Sequence, residues 1–269
     1  MGLAPGYDAW IISVGNELLI GRVINTNLAW LGRKLTLLGY KVRGCITVPD
    51  DVEEIAWAFR TAAERGARVI VSTGGLGPTF DDKTVEGFAK ALGAKLVLDR
   101  EALRMVEEKY RAGGYELTEH RIKMATLPEG SKPIPNPVGT APGVESRLGG
   151  ALVFLLPGVP AEMKAIFEEY IEPKLREMGP GVCFAEAYFR AVGVPESEAA
   201  PLVERAMKAS ARAYVKSHPR GTELGAPLLE FHVTASAEEA EEARREARRV
   251  AELLARMLAE KGARIEWIE

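Results

Sequence analysis

The sequence predicts an α/β protein with a doubly wound, mostly parallel sheet, followed by a second, smaller α+β domain. Over the first two-thirds, apolar runs of strand length alternate with amphipathic helical patterns. Parallel neighbours need long crossovers, so this alternation favours a parallel sheet covered by helices. After about Gly179 the order becomes strand, helix, strand, strand, helix, strand, which is typical of a ferredoxin-like unit. We therefore predict domains at residues 1–176 and 177–269.

The elements of the first domain follow from apolar runs and helix signals. The predicted strands are Ala9–Val14, Val42–Val48, Arg68–Ser72 and Ala151–Leu156. The predicted helices follow Asn25 or Thr26, begin near Val52, span Thr84–Leu92 and Asp99–Arg111, and begin after Pro160. Arg68–Ser72 is apolar in its middle, as expected for a strand that is buried on both sheet faces.

The second domain is predicted in the same way. Its strands are expected at Glu186–Val192, Ala213–Lys216, Leu228–Ala235 and Ala263–Trp267, and its helices at Pro195–Ala209 and Ala237–Lys261. The long last helix carries one alanine-rich apolar stripe, and its charged residues form the opposite, solvated face. This pattern predicts two helices packed on one face of a small antiparallel sheet.

The composition excludes several classes of protein. The 269 residues are 47% hydrophobic and 27% charged, which argues against disorder, and the net charge of −3 gives no sign of nucleic-acid binding. We find no membrane-length apolar run and no export signal, so we expect a cytoplasmic protein. Two cysteines are too few for a disulfide scaffold or a cysteine zinc site. The absence of Gln fits either a thermophile or a GC-rich genome.

The strongest functional signal is the segment Thr73–Asp82, which follows a predicted strand and has three glycines in four positions. Its backbone N–H groups can turn into one concavity that holds an anion, next to the N-terminus of the following helix. The residues that we expect to bind phosphate here are Thr73, Gly74, Gly75, Gly77 and Thr79.

Two carboxylates in this segment distinguish it from a plain phosphate loop. Asp81 and Asp82 would repel a phosphate unless a divalent cation lay between them and the ligand, so we predict both as metal ligands and catalytic residues. Alternatively, Asp82 caps the next helix.

Three other glycine-marked segments, Gly15–Leu19, Asn136–Gly143 and Leu156–Pro160, are expected to complete the site. In open α/β sheets ligands bind beyond the carboxyl ends of the strands, so the loops at 15–27, 73–82 and 157–162 should share one rim. The candidates there are Asn16 for nucleotide binding and Glu17 for catalysis, although Glu17 also suits a helix start. Further binding candidates are Asn136, Gly139, Thr140, Pro157, Gly158 and Glu162, of which Glu162 also suits a helix dipole.

Four motifs in order, Gly15–Leu19, Thr73–Asp82, Asn136–Gly143 and Leu156–Pro160, closely resemble the competence/damage-inducible protein CinA family. The resemblance is to its N-terminal molybdopterin-binding (MoaB/MogA-like) domain and covers about residues 9–175. It implies a molybdopterin-binding-like fold followed by a KH-like subdomain. Asn16 stands where many members have Asp, which removes one candidate metal ligand or base.

The resemblance also implies an activity. Members of the family act as metal-dependent pyrophosphatases on ADP-ribose and related nucleotides, which would require a divalent ion such as Co²⁺, Mn²⁺ or Mg²⁺. The alternatives are a protein that binds molybdopterin or handles its adenylyl form, and a nucleotide-binding module without turnover. We expect no deamidase activity, since these 269 residues contain no counterpart of the deamidase domain of bacterial relatives, and the second unit lacks the GXXG loop of RNA-binding KH domains. We therefore expect a small-molecule nucleotide as partner, neither nucleic acid nor membrane, and a homo-oligomer.

Overall fold

The computed structural model describes residues 6–223 and 225–268, which fold into two compact units. The first comprises residues 6–36 and 40–180, and the second comprises residues 37–39 and the described residues from 181 onward. The predicted fold class, an α/β domain with a mostly parallel sheet and a smaller α+β unit, is confirmed. The boundary after residue 176 stays a prediction.

The first unit contains a six-stranded sheet in the order β2-β1-β3-β8-β7-β6. Its strands are β1 (Asp8–Val14), β2 (Lys41–Val48), β3 (Val69–Thr73), β6 (Lys132–Ile134), β7 (Gly143–Leu148) and β8 (Ala151–Leu156). Strands β2, β1, β3 and β8 pair in parallel, β7 pairs antiparallel with β8, and β6 pairs antiparallel with β7. A separate two-stranded ribbon pairs β4 (Leu96–Leu98) with β5 (Thr126–Pro128).

Helices connect these strands. They are α1 (Asn16–Leu19), α2 (Thr26–Leu37), α3 (Val52–Glu64), α4 (Thr84–Leu92), α5 (Arg100–Ala112), α6 (Glu119–Ile122), α7 (Pro160–Ile166) and α8 (Glu172–Met178). A 3₁₀ turn at Lys123–Ala125 follows α6, and a π-helical segment at Phe167–Ile171 joins α7 to α8. Both faces of the sheet are covered, which explains why every residue of β3 and β8 is buried.

Capping residues define where the helices begin. The Asp51 carboxylate accepts hydrogen bonds from the backbone N–H groups of Glu53 (2.8 Å) and Glu54 (3.1 Å) at the start of α3. Asn25 caps α2 by accepting from the Leu28 N–H at 3.0 Å, as the sequence predicts. These two caps determine where the loops before α2 and α3 end, and therefore how long these two loops are.

Several short elements between residues 94 and 150 were not predicted, namely strands β4, β5, β6 and β7 and helix α6. The short helix α1, earlier in the chain, was not predicted either. Strand β7 has the sequence Gly-Val-Glu-Ser-Arg-Leu, whose polar residues hide its pairing with β8. The segment Asn136–Gly143 is thus mainly the connection between β6 and β7, with Gly143 already in the strand.

The second unit has the predicted ferredoxin-like order. Its elements are β9 (Cys183–Val192), α9 (Glu196–Lys208), β10 (Ala213–Glu223), β11 (Ala226–Ala237), α10 (Ala240–Ala259) and β12 (Arg264–Ile268). The sheet order is β10-β11-β9-β12, with every neighbouring pair antiparallel. The apolar stripes of α9 and α10 share one buried cluster with the inward side chains of β9 and β11.

Two boundaries in this unit differ from the prediction. Strand β10 has 11 residues, far more than the predicted Ala213–Lys216. Helix α10 begins at Ala240 rather than at Ala237, because β9 starts early enough for Ala237 to pair with Cys183 and extend β11. No helix in the described part of the chain is long and apolar enough to cross a membrane.

Candidate functional site: an amide-lined cleft at the carboxyl rim of the sheet

The loops that follow β1, β3 and β8 meet at a cleft of about 400 Å³. Its walls comprise residues from 14 to 17, from 74 to 82 and from 157 to 162, together with Asp50, Thr140 and Ala141. The three glycine-marked loops therefore lie where parallel strands end, which is the place that the fold class favours for a ligand. All of these residues belong to the first unit.

Glycines are required at the base of the loop after β3. Gly74 and Gly75 have φ values of +105° and +66°, in the region that favours glycine. A Cβ on Gly74 would collide with the carbonyl oxygen of Val14, and one on Gly75 would collide with the Thr84 hydroxyl. Thr84 fixes the turn, since its hydroxyl donates to the Gly74 carbonyl at 2.7 Å and its N–H donates to the Gly75 carbonyl at 3.1 Å.

We call residues 74–79 the amide cradle because several of its N–H groups have no acceptor within the protein. The Gly74 N–H donates to the Leu156 carbonyl at 3.0 Å, and the Thr79 N–H donates to the Asp82 carboxylate at 2.8 Å. Within residues 6–223 and 225–268, the N–H groups of Gly75, Leu76 and Gly77 donate to no protein acceptor. Successive unpaired amides of this kind form an anion-binding concavity.

Asp81 and Asp82 lie at the end of the cradle, and both approach the Thr79 hydroxyl. The hydrogen bond from Thr79 holds the pKa of Asp81 below its usual range. The alternative that Asp82 caps α4 is wrong: the cap position is Lys83, which makes no side-chain capping bond, and Asp82 turns back to Thr79 instead. A Cβ on Gly77 would collide with the Asp82 carboxylate, so this glycine keeps the carboxylate next to the cradle.

Asp50 is a cleft residue that the sequence analysis did not identify. It follows β2 directly, and its carboxylate accepts the Asn16 N–H at 2.9 Å. Burial is the main cause that raises its pKa, and the negative charges of Glu17, Asp81 and Asp82 add to this effect. The sequence does indicate this residue: two aspartates, Asp50 and Asp51, follow a predicted strand, and only one of them is needed to cap the next helix.

The cleft thus has five carboxylates, those of Glu17, Asp50, Asp81, Asp82 and Glu162. Among the described residues no group of three or more His, Cys, Asp and Glu side chains is arranged to enclose a metal ion. Mg²⁺ is commonly held by one or two carboxylates, with water and substrate phosphates as the other ligands. The donors present therefore fit a divalent ion that is shared with a phosphate ligand, and not a metal site built from protein ligands alone.

Asn136 organises the connection between β6 and β7. Its amide nitrogen donates to the Ala141 carbonyl (2.8 Å) and to Glu162 (2.7 Å). Its amide oxygen accepts the N–H groups of Val138 (3.1 Å) and Gly139 (2.8 Å). All four of its hydrogen-bonding positions are used within the protein, so Asn136 shapes the loop and does not contact a ligand through its side chain. Glu162 and Thr140 themselves line the cleft.

Thr73 has a similar internal role. It is buried, its hydroxyl donates to the Pro157 carbonyl at 2.9 Å, and it accepts from the Asn27 amide nitrogen at 2.9 Å. Asn27 also donates to the Gly158 carbonyl at 2.8 Å. The predicted contact between Thr73 and a phosphate is thus replaced by a link between the loops after β3 and β8, whereas Pro157 and Gly158 do line the cleft.

Two residues act on the cleft from outside its lining. Asn16 is exposed, and it contributes its backbone N–H to Asp50. The Lys123 ammonium donates to the carbonyls of Thr79 (2.8 Å) and Asp82 (2.7 Å). Lys123 therefore holds the segment that carries both aspartates.

Comparison with known proteins agrees with this architecture. A family model described as a probable molybdopterin binding domain matches residues 10–177. A protein of Pyrobaculum calidifontis is 57% identical over 235 residues, which covers 87% of this chain and 89% of that protein. A protein of Aeropyrum pernix is 55% identical over 236 residues and covers 88% of each chain. The crystal structure of the protein CinA with unknown function from Thermoplasma acidophilum is 50% identical, with a TM-score of 0.60, and covers 64% of this chain and 99% of that one.

Proposed function

Because this chain belongs to the family of probable molybdopterin binding domains, and to its CinA-like members, we propose that its cleft binds and hydrolyses a diphosphate-linked nucleotide. The proposed reaction is the metal-dependent cleavage of ADP-ribose or a similar compound to AMP and a sugar phosphate. One observation carries the proposal: three unpaired amides and five carboxylates line the same cleft.

The amide cradle supplies the binding of the phosphate groups. The N–H groups of Gly75, Leu76 and Gly77 donate to phosphate oxygens, and they require no reorganisation because the turn is already fixed by Thr84. Preorganised donors of this type stabilise the additional negative charge that develops as a phosphorus–oxygen bond breaks.

The carboxylates supply the second part of the site. Asp82 and Asp81 would hold the divalent ion, with Asp50 close enough to influence both through its charge. When bound, such an ion neutralises phosphate charge and lowers the pKa of an attacking water. Glu17 is an exposed carboxylate on the same cleft wall, so we assign it the proton that leaves this water. Water adds to one phosphorus as the bridging oxygen leaves with the other phosphate.

The proposal is tested by incubating the purified protein with ADP-ribose and Co²⁺, Mn²⁺ or Mg²⁺ and measuring AMP. We expect release of AMP that stops when the ion is chelated, and a loss on the order of 100-fold in Asp82→Asn. Glu101→Gln, an exposed carboxylate at the start of α5, is the control and should retain activity. No AMP with any of the three ions would refute the hydrolase.

A second candidate function is supported by the family model itself, whose description names molybdopterin. The same cradle would accept the terminal phosphate of this cofactor without any hydrolysis. Binding of molybdopterin at micromolar concentration or below, together with no AMP release, would favour this function.

We also propose that the protein forms a homo-oligomer. Large apolar side chains stand exposed on the loops around the cleft, with Ile24 84% and Phe80 86% exposed. A second copy that covers them would bury this apolar surface. Light scattering after size exclusion would measure the mass, and a monomer at micromolar concentration would contradict this proposal.

A further inference from the structure

A second cavity, which we call the back pocket, lies on the other side of the amide cradle. Its volume is about 230 Å³, and its walls include Gly75, Leu76 and Gly77 as well as Asp82. The cleft and the back pocket share five lining residues, Gly75, Leu76, Gly77, Asp82 and Met124, so the two cavities adjoin at the cradle. A ligand that is held by the cradle amides therefore has cavities on both sides of it.

The lining of the back pocket differs from that of the cleft. Val85, Leu96 and Ile122 contribute apolar surface, and Leu96 stays 40% exposed on strand β4. The polar side chains of the lining are the Thr126 hydroxyl, the Lys123 ammonium and the carboxylates of Asp82, Glu86 and Glu119. Sites for small molecules have this composition, with apolar walls and a few polar groups that fix orientation.

The volume indicates what the back pocket can hold. Sites for whole ligands usually measure roughly 300–1,000 Å³, so a cavity of about 230 Å³ suits one part of a larger ligand. Apolar walls favour a flat ring, and carboxylate and hydroxyl oxygens accept hydrogen bonds from ring N–H and amino groups. Charged phosphate groups bind more favourably in the cleft, where they can accept hydrogen bonds from the unpaired amides.

We infer that the back pocket is a second subsite of the same ligand and that it takes the nitrogen-containing heterocycle of a nucleotide or pterin while the amide cradle holds the phosphates. This inference rests on the proposed function, since it requires a ligand in the cradle. The back pocket then selects for the ring, and the cleft carries out the chemistry on the phosphates.

Lys123 connects the two subsites physically. It lines the back pocket, and its ammonium donates to the carbonyls of Thr79 and Asp82 on the cleft side. Met124, the next residue, lines both cavities. A ring that packs against this segment therefore stabilises the loop that positions the aspartates, so we expect ligands with a ring to bind more tightly than their phosphate parts alone.

The test compares two neighbouring residues on β4. Leu96→Glu places a charge in the back pocket, whereas Val97→Glu alters the next residue, which is 39% exposed and lies outside the lining. Binding of ADP-ribose and of inorganic pyrophosphate is measured by calorimetry with Mg²⁺ for the wild type and both variants. We expect Leu96→Glu to weaken ADP-ribose at least about tenfold and to leave pyrophosphate unchanged, and Val97→Glu to change neither.

The outcomes separate this inference from the proposed function. If wild-type protein binds both ligands and Leu96→Glu binds ADP-ribose as well as Val97→Glu does, the back pocket is not the ring subsite, and the cradle proposal stands. Equal affinity of the wild type for ADP-ribose and pyrophosphate would also overturn the inference. If the wild type binds neither pyrophosphate nor ADP-ribose, the proposed function itself fails. Circular dichroism of both variants confirms that each is folded.

Discussion

The adjacent aspartates Asp50 and Asp51 allow stability and activity to be separated by two single substitutions. Asp51 caps α3 through two backbone N–H groups, whereas Asp50 lines the cleft and accepts only the Asn16 N–H. We predict that Asp51→Ala lowers stability and leaves activity intact. Asp50→Asn, in contrast, should lower activity without lowering stability.

The magnitude for Asp51→Ala follows from the lost cap. Replacing a capping Asp by Ala costs about 1 kcal/mol of the free energy of unfolding. For a unit of this size, each kcal/mol lowers the melting temperature by roughly 2–4 °C. Differential scanning calorimetry of the wild type and the variant would measure this shift, and a change below half a degree would contradict the capping assignment.

Asp50→Asn keeps an oxygen that can accept the Asn16 N–H but removes a charge. The raised pKa of Asp50 means that its ionisation opposes folding, so this residue favours folding at low pH and loses that contribution as pH rises through its pKa. The variant should therefore be at least as stable as the wild type at neutral pH. Loss of a carboxylate from the cleft should lower AMP release from ADP-ribose on the order of 100-fold.

The assay uses the same Mg²⁺ and substrate concentrations for both variants, with Asp51→Ala as the matched control. Activity of Asp50→Asn within twofold of the wild type would refute the argument that the carboxylates act together in the cleft. Equal melting temperatures for Asp51→Ala and the wild type would separately show that α3 does not depend on its cap.

Three further predictions concern other parts of the chain. Gly139→Ala should weaken ligand binding by displacing the Glu162 carboxylate, which a Cβ at this position would strike, and calorimetry would measure the change in affinity. Lys123→Met should lower kcat, because it removes the donor that holds the Thr79 and Asp82 carbonyls, and steady-state assays would show it. Glu246→Gln should destabilise the second unit at neutral pH. Hydrogen bonding, above all from Arg249, lowers the pKa of the Glu246 carboxyl to about 2. The stabilisation from this carboxylate is therefore present above about pH 4.5 and is lost as the pH falls towards 2. Denaturant titration at several pH values would follow this loss.

The first two of these predictions have a matched control. Gly150→Ala lies in the same unit, has open space around its position and, like Gly139, has no left-handed φ, so it adds a methyl group without a collision and should leave binding unchanged. Lys83→Met removes a lysine near the same loop whose ammonium donates to Glu86 at 3.4 Å, so it should leave kcat unchanged. For the last prediction, an equal destabilisation of Glu246→Gln at pH 7 and pH 2 would show that the carboxylate charge plays no part.

The sequence predicts the main sheet well because its strands are continuous apolar runs between helical patterns. Strand β8 and helix α4 have the predicted bounds. Strand β7 could not be predicted in this way, since three consecutive polar residues, Glu, Ser and Arg, interrupt its apolar positions, and its partner determines its structure. Local periodicity gives no information about contacts between residues that are distant in sequence.

The candidate site was predictable only in part. Glycines at a strand end indicate an anion concavity, and the structure places these loops around one cleft. Which acid caps a helix and which faces a ligand is decided by backbone geometry, so Asp50 was missed and Asp82 was considered as a cap. The internal role of Asn136 depends on Glu162, 26 residues away, and no pattern of spacing reveals it.

The floor of the cleft has a consequence for attempts to change what this protein recognises. A Cβ on Gly158 would lie 3.3 Å from the Gly74 α-carbon, so main chain meets main chain there. Such a surface offers no side chain for mutation to exchange. Engineering of selectivity in this fold must therefore begin at the periphery, with side chains such as Val159 and Leu96, while the floor is left untouched.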